Sequence, residues 1–94
     1  MERHHEVAMQ QALDKVYLEG AACIRWDYLY LWFNAARLNK GSYRELHKRW
    51  DEVCTITHGL AAAPELSVLN GTYTLTLMRG AFPNETIEPL ANWI

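Results

Sequence analysis

An α+β fold, with three helices followed by a C-terminal β-hairpin in a single domain over residues 1–94, is predicted by three features of the chain. Apolar residues recur at helical spacing in three successive segments. Gly20 and Gly59 stand where the first and third of these end. Asn70-Gly71 then separates two segments in which apolar and polar residues alternate, the strongest short-range signature of a hairpin. The composition agrees with one globular domain, because half of the 94 residues are hydrophobic and only 21% are charged.

Residues 3–19 read as the first helix, with Met9, Ala12, Leu13, Val16 and Tyr17 on one stripe. Glu2 and Glu6 suit the positive end of its dipole, and Gly20 is a natural stop. Ala21–Arg25 is short and apolar, and reads either as one strand or as an extended connector. Residues 26–38 read as a second helix from about Asp27, with Leu29, Trp32, Phe33 and Ala36 on one face. Tyr28, Leu31, Ala35 and Leu38 form another face. A helix that is apolar over most of its circumference is either central or half-covered by a partner.

Asn39-Lys40-Gly41 is the expected break. Ser42 and Glu45 have the S-x-x-E spacing of a capping box, so the third helix is expected from Tyr43 to about Thr57. Its inward stripe is Tyr43, Leu46, Trp50, Val53, Cys54 and Thr57. A two-residue type I′ loop at Asn70-Gly71 would pair Leu69 with Thr72, Val68 with Tyr73, Ser67 with Thr74 and Leu66 with Leu75. Leu66, Val68, Tyr73, Leu75 and Leu77 then share the core face. Gly80 and Pro83 close the hairpin, and Ile87, Leu90, Trp93 and Ile94 are spaced for a short terminal helix or turn docked on the body.

The net charge of −2 argues against indiscriminate nucleic-acid binding, but its distribution is uneven. Residues 36–50 carry Arg37, Lys40, Arg44, Lys48 and Arg49 against Glu45 alone. A local basic patch on an acidic chain can bind phosphate; the plainer reading is a solvated helix face. No apolar run approaches the ~20 residues that cross a bilayer, and a cytoplasmic, membrane-free protein is expected. Cys23 and Cys54 lack C-x-x-C spacing and read as buried free thiols in a reducing compartment.

The order helix, short strand, helix, turn, helix, hairpin resembles the winged helix-turn-helix architecture over residues 3–78, at the level of topology. The resemblance implies a small transcriptional regulator or accessory protein that binds double-stranded DNA. The third helix would be the recognition helix and the hairpin the wing. Ser42, Tyr43, Arg44, Glu45, Lys48 and Arg49 would lie at or near the groove, and Arg37 and Lys40 would meet phosphate. Asp51 and Glu52 confine such contacts to the first two turns.

The competing reading is a protein-interaction module, a homodimer, or an inhibitor or adaptor encoded by a mobile element. Trp26, Tyr30, Trp32 and Phe33 would carry its interface, together with Tyr17, Phe82 and Trp93, because interfaces are rich in Trp and Tyr. The plainer reading of these aromatics is the core of a small protein. Cys54 and His58 stand at i, i+4, yet completing a metal site would require Cys23 and His47 from afar, without the closely spaced pairs zinc sites use. No catalytic constellation, glycine-rich phosphate loop or cofactor motif is present in the sequence, and no enzyme activity is expected.

Overall fold

Helix α1 spans Arg3–Glu19 in the computed structural model, which describes residues 2–34, 37–80 and 86–94. Met9, Leu13 and Val16 form its fully buried stripe, as the spacing requires. Gly20 closes it at φ 93°, where a side chain would be strained, and its N–H donates to the Val16 carbonyl. The chain turns directly into strand β1, Ala21–Arg25, whose alternation buries Ala22 and Ile24.

Helix α2, Trp26–Trp32, is shorter than the periodicity suggests. It stops at Phe33, and Asn34 takes the left-handed conformation at φ 50°, with its N–H donating to the Leu31 carbonyl. Asn tolerates that conformation better than any other side chain here, so it acts as the helix terminator. Ala35 and Ala36, assigned to the second helix from sequence, lie outside the described residues, as do Phe82 and Pro83.

Helix α3 begins three residues earlier than expected and spans Lys40–Glu52. The capping box is real but shifted. Asn39 is the N-cap, its Oδ1 accepting from the Ser42 N–H at 3.0 Å, while the Asn39 N–H donates to Ser42 Oγ at 3.4 Å. Ser42 is therefore the third residue of the helix, and Glu45 is free for another role. After Glu52 the helix widens into a π-helical turn, Val53–Thr57, in which the His58 N–H reaches back to the Val53 carbonyl.

Strands β2 (Leu66–Asn70), β3 (Thr74–Arg79) and β4 (Ile87–Pro89) join β1 in an antiparallel sheet of order β1-β3-β2-β4. The domain is thus α+β, with three helices and a four-stranded antiparallel sheet among the described residues. The helices pack on the face carrying Ala22, Ile24, Leu66, Val68, Leu75 and Leu77. Trp50 is fully buried and anchors α3 to the following connector through Nε1–H donated to the Pro64 carbonyl at 2.7 Å. Leu90 of a closing 3-10 turn, Leu90–Trp93, fills the same core.

The β2–β3 register differs from that of a two-residue loop. Leu66 faces Arg79 and Asn70 faces Leu75, four residues along β3 from the expected pairing. An even displacement keeps side-chain parity, so Leu66, Val68, Leu75 and Leu77 remain inward. Tyr73 leaves the core face for the loop and is 82% exposed. Two interactions hold this register: β3 pairs with β1 as far as Arg25–Thr74, and the Trp26 N–H donates to the Tyr73 carbonyl at 3.0 Å. Gly71 does not adopt the left-handed conformation of a type I′ loop. Its importance is close approach, since a Cβ there would lie 2.8 Å from the Thr74 carbonyl oxygen.

Candidate nucleic-acid interface

The seven cationic and polar residues expected at a nucleic-acid surface divide into two groups. Arg37, Lys40, Arg44 and Lys48 are exposed, and among the described residues none of them has a carboxylate within ion-pair distance. Lys40, Arg44 and Lys48 are spaced i, i+4, i+8, which sets them in one row on the outer side of α3 over about 12 Å of rise. The row ends at exposed Asp51 and Glu52.

The other three residues are committed to the fold. Ser42 completes the Asn39 cap. Tyr43 is half-buried, with its ring edge-on to Trp93 at 5.0 Å. Burial first, and then the nearby Tyr30 phenol, raise the Tyr43 pKa. Arg49 bridges two helices: Nε donates to Glu45 Oε1 at 3.0 Å and Nη2 to Glu6 Oε1 at 3.4 Å. Glu45, unused by the cap, neutralises Arg49 and leaves its side chain only 25% exposed.

The aromatics of α2 also divide. Trp32 is buried in the core, and Trp26 and Phe33 pack against it half-buried. Tyr30 is 38% exposed, and beside it Tyr28 and Leu31 are more open still. Arg25 lies over the Tyr28 ring at 5.2 Å while pairing with Asp27. Tyr17, suggested as an interface residue, stacks on His58 at 3.9 Å and is covered by Arg79.

One arrangement escaped the sequence reading. Trp26, Tyr30, Arg37, Tyr43, Asn70 and Thr72 surround an open cleft of about 550 Å³ between α2, the start of α3 and the β2–β3 loop. Trp26 Nε1–H donates to the Gly71 carbonyl at 2.8 Å, tying the loop to the start of α2. The ring of Tyr30 lies nearly parallel to that of Trp26, at 25° and 6.3 Å between centroids. The i, i+4 spacing of Trp26 and Tyr30 was the available signal, but nothing local indicates that residues 70–72 face them.

The cysteines and histidines considered as metal ligands do not assemble. Cys54 is buried, its thiol pushed up by burial first and then by Asp51, with Arg79 acting the other way. His58 Nε2 lies 2.6 Å from Asp14 Oδ1, and exposed Cys23 contacts Thr76 Oγ1 at 3.2 Å. Among the described residues, Glu2, His4 and His5 are the one group whose ligand atoms converge, within 4.8 Å. They stand at the start of α1, where the positive end of the helix dipole opposes a cation. No protein-family model, curated protein or solved structure matches the chain.

Proposed function

We propose that this chain is a small winged-helix-like DNA-binding protein, a transcriptional regulator or accessory factor, with α3 as its recognition helix. The observation that carries the reading is the row Lys40, Arg44 and Lys48, exposed and without described carboxylate partners, with Arg37 beside it. Unpaired cations at a regular spacing exchange counterions for phosphates at little desolvation cost. The element order also supports it, since a strand separates the first two helices and two antiparallel strands follow the third. Arg44 is the candidate for base-edge contact, because its guanidinium can donate in pairs to guanine. Tyr43 and Arg49 act behind this surface, holding α3 against the closing turn and α1.

The test is fluorescence anisotropy with a labelled duplex at low salt. Binding that disappears in the Lys40→Ala, Arg44→Ala, Lys48→Ala triple variant is the expected result. Absence of binding by the folded wild-type chain refutes the reading.

A second reading has its own observation. Tyr28 and Leu31, three residues apart on α2, are 48% and 56% exposed, and exposed apolar side chains on one side of a helix suit a protein partner or a second copy. Sedimentation across a concentration series tests self-association, and dimerisation abolished by Leu31→Glu would support it. A monomer at all concentrations would leave only a heterologous partner.

A further inference from the structure

The cleft between α2, α3 and the β2–β3 loop differs in chemistry from the basic row beside it. The cleft is lined by Trp26, Tyr30, Tyr43, Leu38 and the loop residues Asn70 to Thr72. Among the described residues Arg37 is the single charged side chain lining it, and none of them lines it with a carboxylate. We propose that this cleft receives the base of an unpaired nucleotide whose strand runs along Arg37 and the α3 row. The inference rests on the nucleic-acid reading and adds a ligand class to it.

Three features argue for a base. The first is preorganisation: Trp26 is fixed by its bond to the Gly71 carbonyl, and Tyr30 is layered against Trp26, so a stacking surface exists before any ligand arrives. The second is charge. A planar neutral ring attached to an anionic backbone matches aromatic walls edged by one guanidinium, with no carboxylate among the described lining residues. The third is size and polarity, because about 550 Å³ suits one nucleotide and Asn70, a lining residue, carries both a donor and an acceptor in its amide. A base inside a duplex has both faces covered by its neighbours. Only an unpaired base, free of the stack, can enter the cleft and lay a face on Tyr30.

The experiment compares a blunt duplex with the same duplex carrying a three-nucleotide dT overhang, both by anisotropy at fixed low salt. The overhang is expected to tighten binding about fivefold or more, the scale of one base stacked on one aromatic side chain. Tyr30→Ala should erase that gain and leave blunt-duplex affinity unchanged, whereas Tyr30→Trp should keep it. Tyr30 is partly exposed, so the alanine variant is expected to fold, and far-UV circular dichroism checks this. An overhang without effect, or a gain that survives Tyr30→Ala, overturns the inference while blunt-duplex binding stands. Failure of both DNAs to bind the folded wild type overturns this inference and the reading beneath it.

Discussion

The partition of the five cations predicts a specific salt dependence. Arg37, Lys40, Arg44 and Lys48 have no described carboxylate partner, whereas Arg49 is shared by Glu45 and Glu6. If each of the four free cations neutralises one phosphate, the slope of log affinity against log salt is about −3.6. Raising salt from about 50 to about 200 mM then weakens binding by roughly 150-fold. Replacing Lys48 with alanine should bring the slope to about −2.7, because one counterion fewer is released. Arg49→Ala should leave the slope unchanged and reduce stability by less than about 1 kcal/mol, since the carboxylates it bridges are partly solvated. Anisotropy titrations at four or five salt concentrations measure the slopes, and denaturant titration measures the stability. A wild-type slope near zero, or an equal change of slope in Arg49→Ala and Lys48→Ala, refutes the partition.

Further expectations concern the elements that hold the surface in place. Asn39→Ala should destabilise the domain by about 1 kcal/mol in thermal or chemical unfolding, as loss of an N-cap does, while Glu45→Ala should not unwind the first turn of α3. Trp26→Phe keeps a ring but deletes the donor to Gly71. It should cost about 1 kcal/mol and speed amide exchange in residues 71–74, and unchanged exchange there would argue against the tie. Cys23 should react promptly with a thiol reagent and Cys54 only on unfolding. Because the Cys54 pKa is raised in the folded state, its contribution is complete below the ordinary thiol value of about 8.5. It declines as pH rises toward the raised value, and Cys54→Ala should flatten that decline in stability measured against pH. Tyr43 adds a loss of the same sign at higher pH.

Patterns that depend on near neighbours were legible in the sequence. The α1 span and its Gly20 stop, the inward Leu46, Trp50, Val53 and Cys54, and the alternation of β3 all follow from spacings of two to four residues. Thr57, expected on the inward stripe, is instead exposed at the end of the π-helical turn, and Ser67, expected on the outer face of β2, is buried. The second helix was overextended because Phe33-Asn34 continues an apolar helical pattern, while the left-handed conformation at Asn34 ends it. Both Asn39-x-x-Ser42 and Ser42-x-x-Glu45 are spaced for mutual capping; Asn39 is the one that caps, and Glu45 pairs with Arg49. β4 was invisible: three residues with a central Glu and a terminal Pro carry no strand signal, and their pairing with Ser67–Leu69 is decided by tertiary contact. At the candidate site, sequence located the cations but could not separate Arg49 from the others, because its partner Glu6 is 43 residues away.

The displaced β2–β3 register is also what shapes the proposed interface. In a two-residue loop Tyr73 would sit in the core and the tip would be Asn70-Gly71 alone. Pairing of β3 with β1 down to Thr74 instead leaves residues 71–73 to arch over Trp26, which takes two of their carbonyls, those of Gly71 and Tyr73. This loop has no Lys or Arg, so it lacks the phosphate contact expected of a wing tip. It does complete an uncharged wall opposite Tyr30 and Tyr43 and leaves Tyr73 projecting into solvent. Charge is therefore concentrated on α3 and Arg37, and ring surface on α2 and the loop. A surface divided in this way favours a ligand that is itself divided, with an anionic backbone on one side and planar rings on the other. A compact acidic protein would find cations on α3 but no use for the cleft. That difference is why the overhang comparison discriminates between partners more sharply than any measurement on α3 alone.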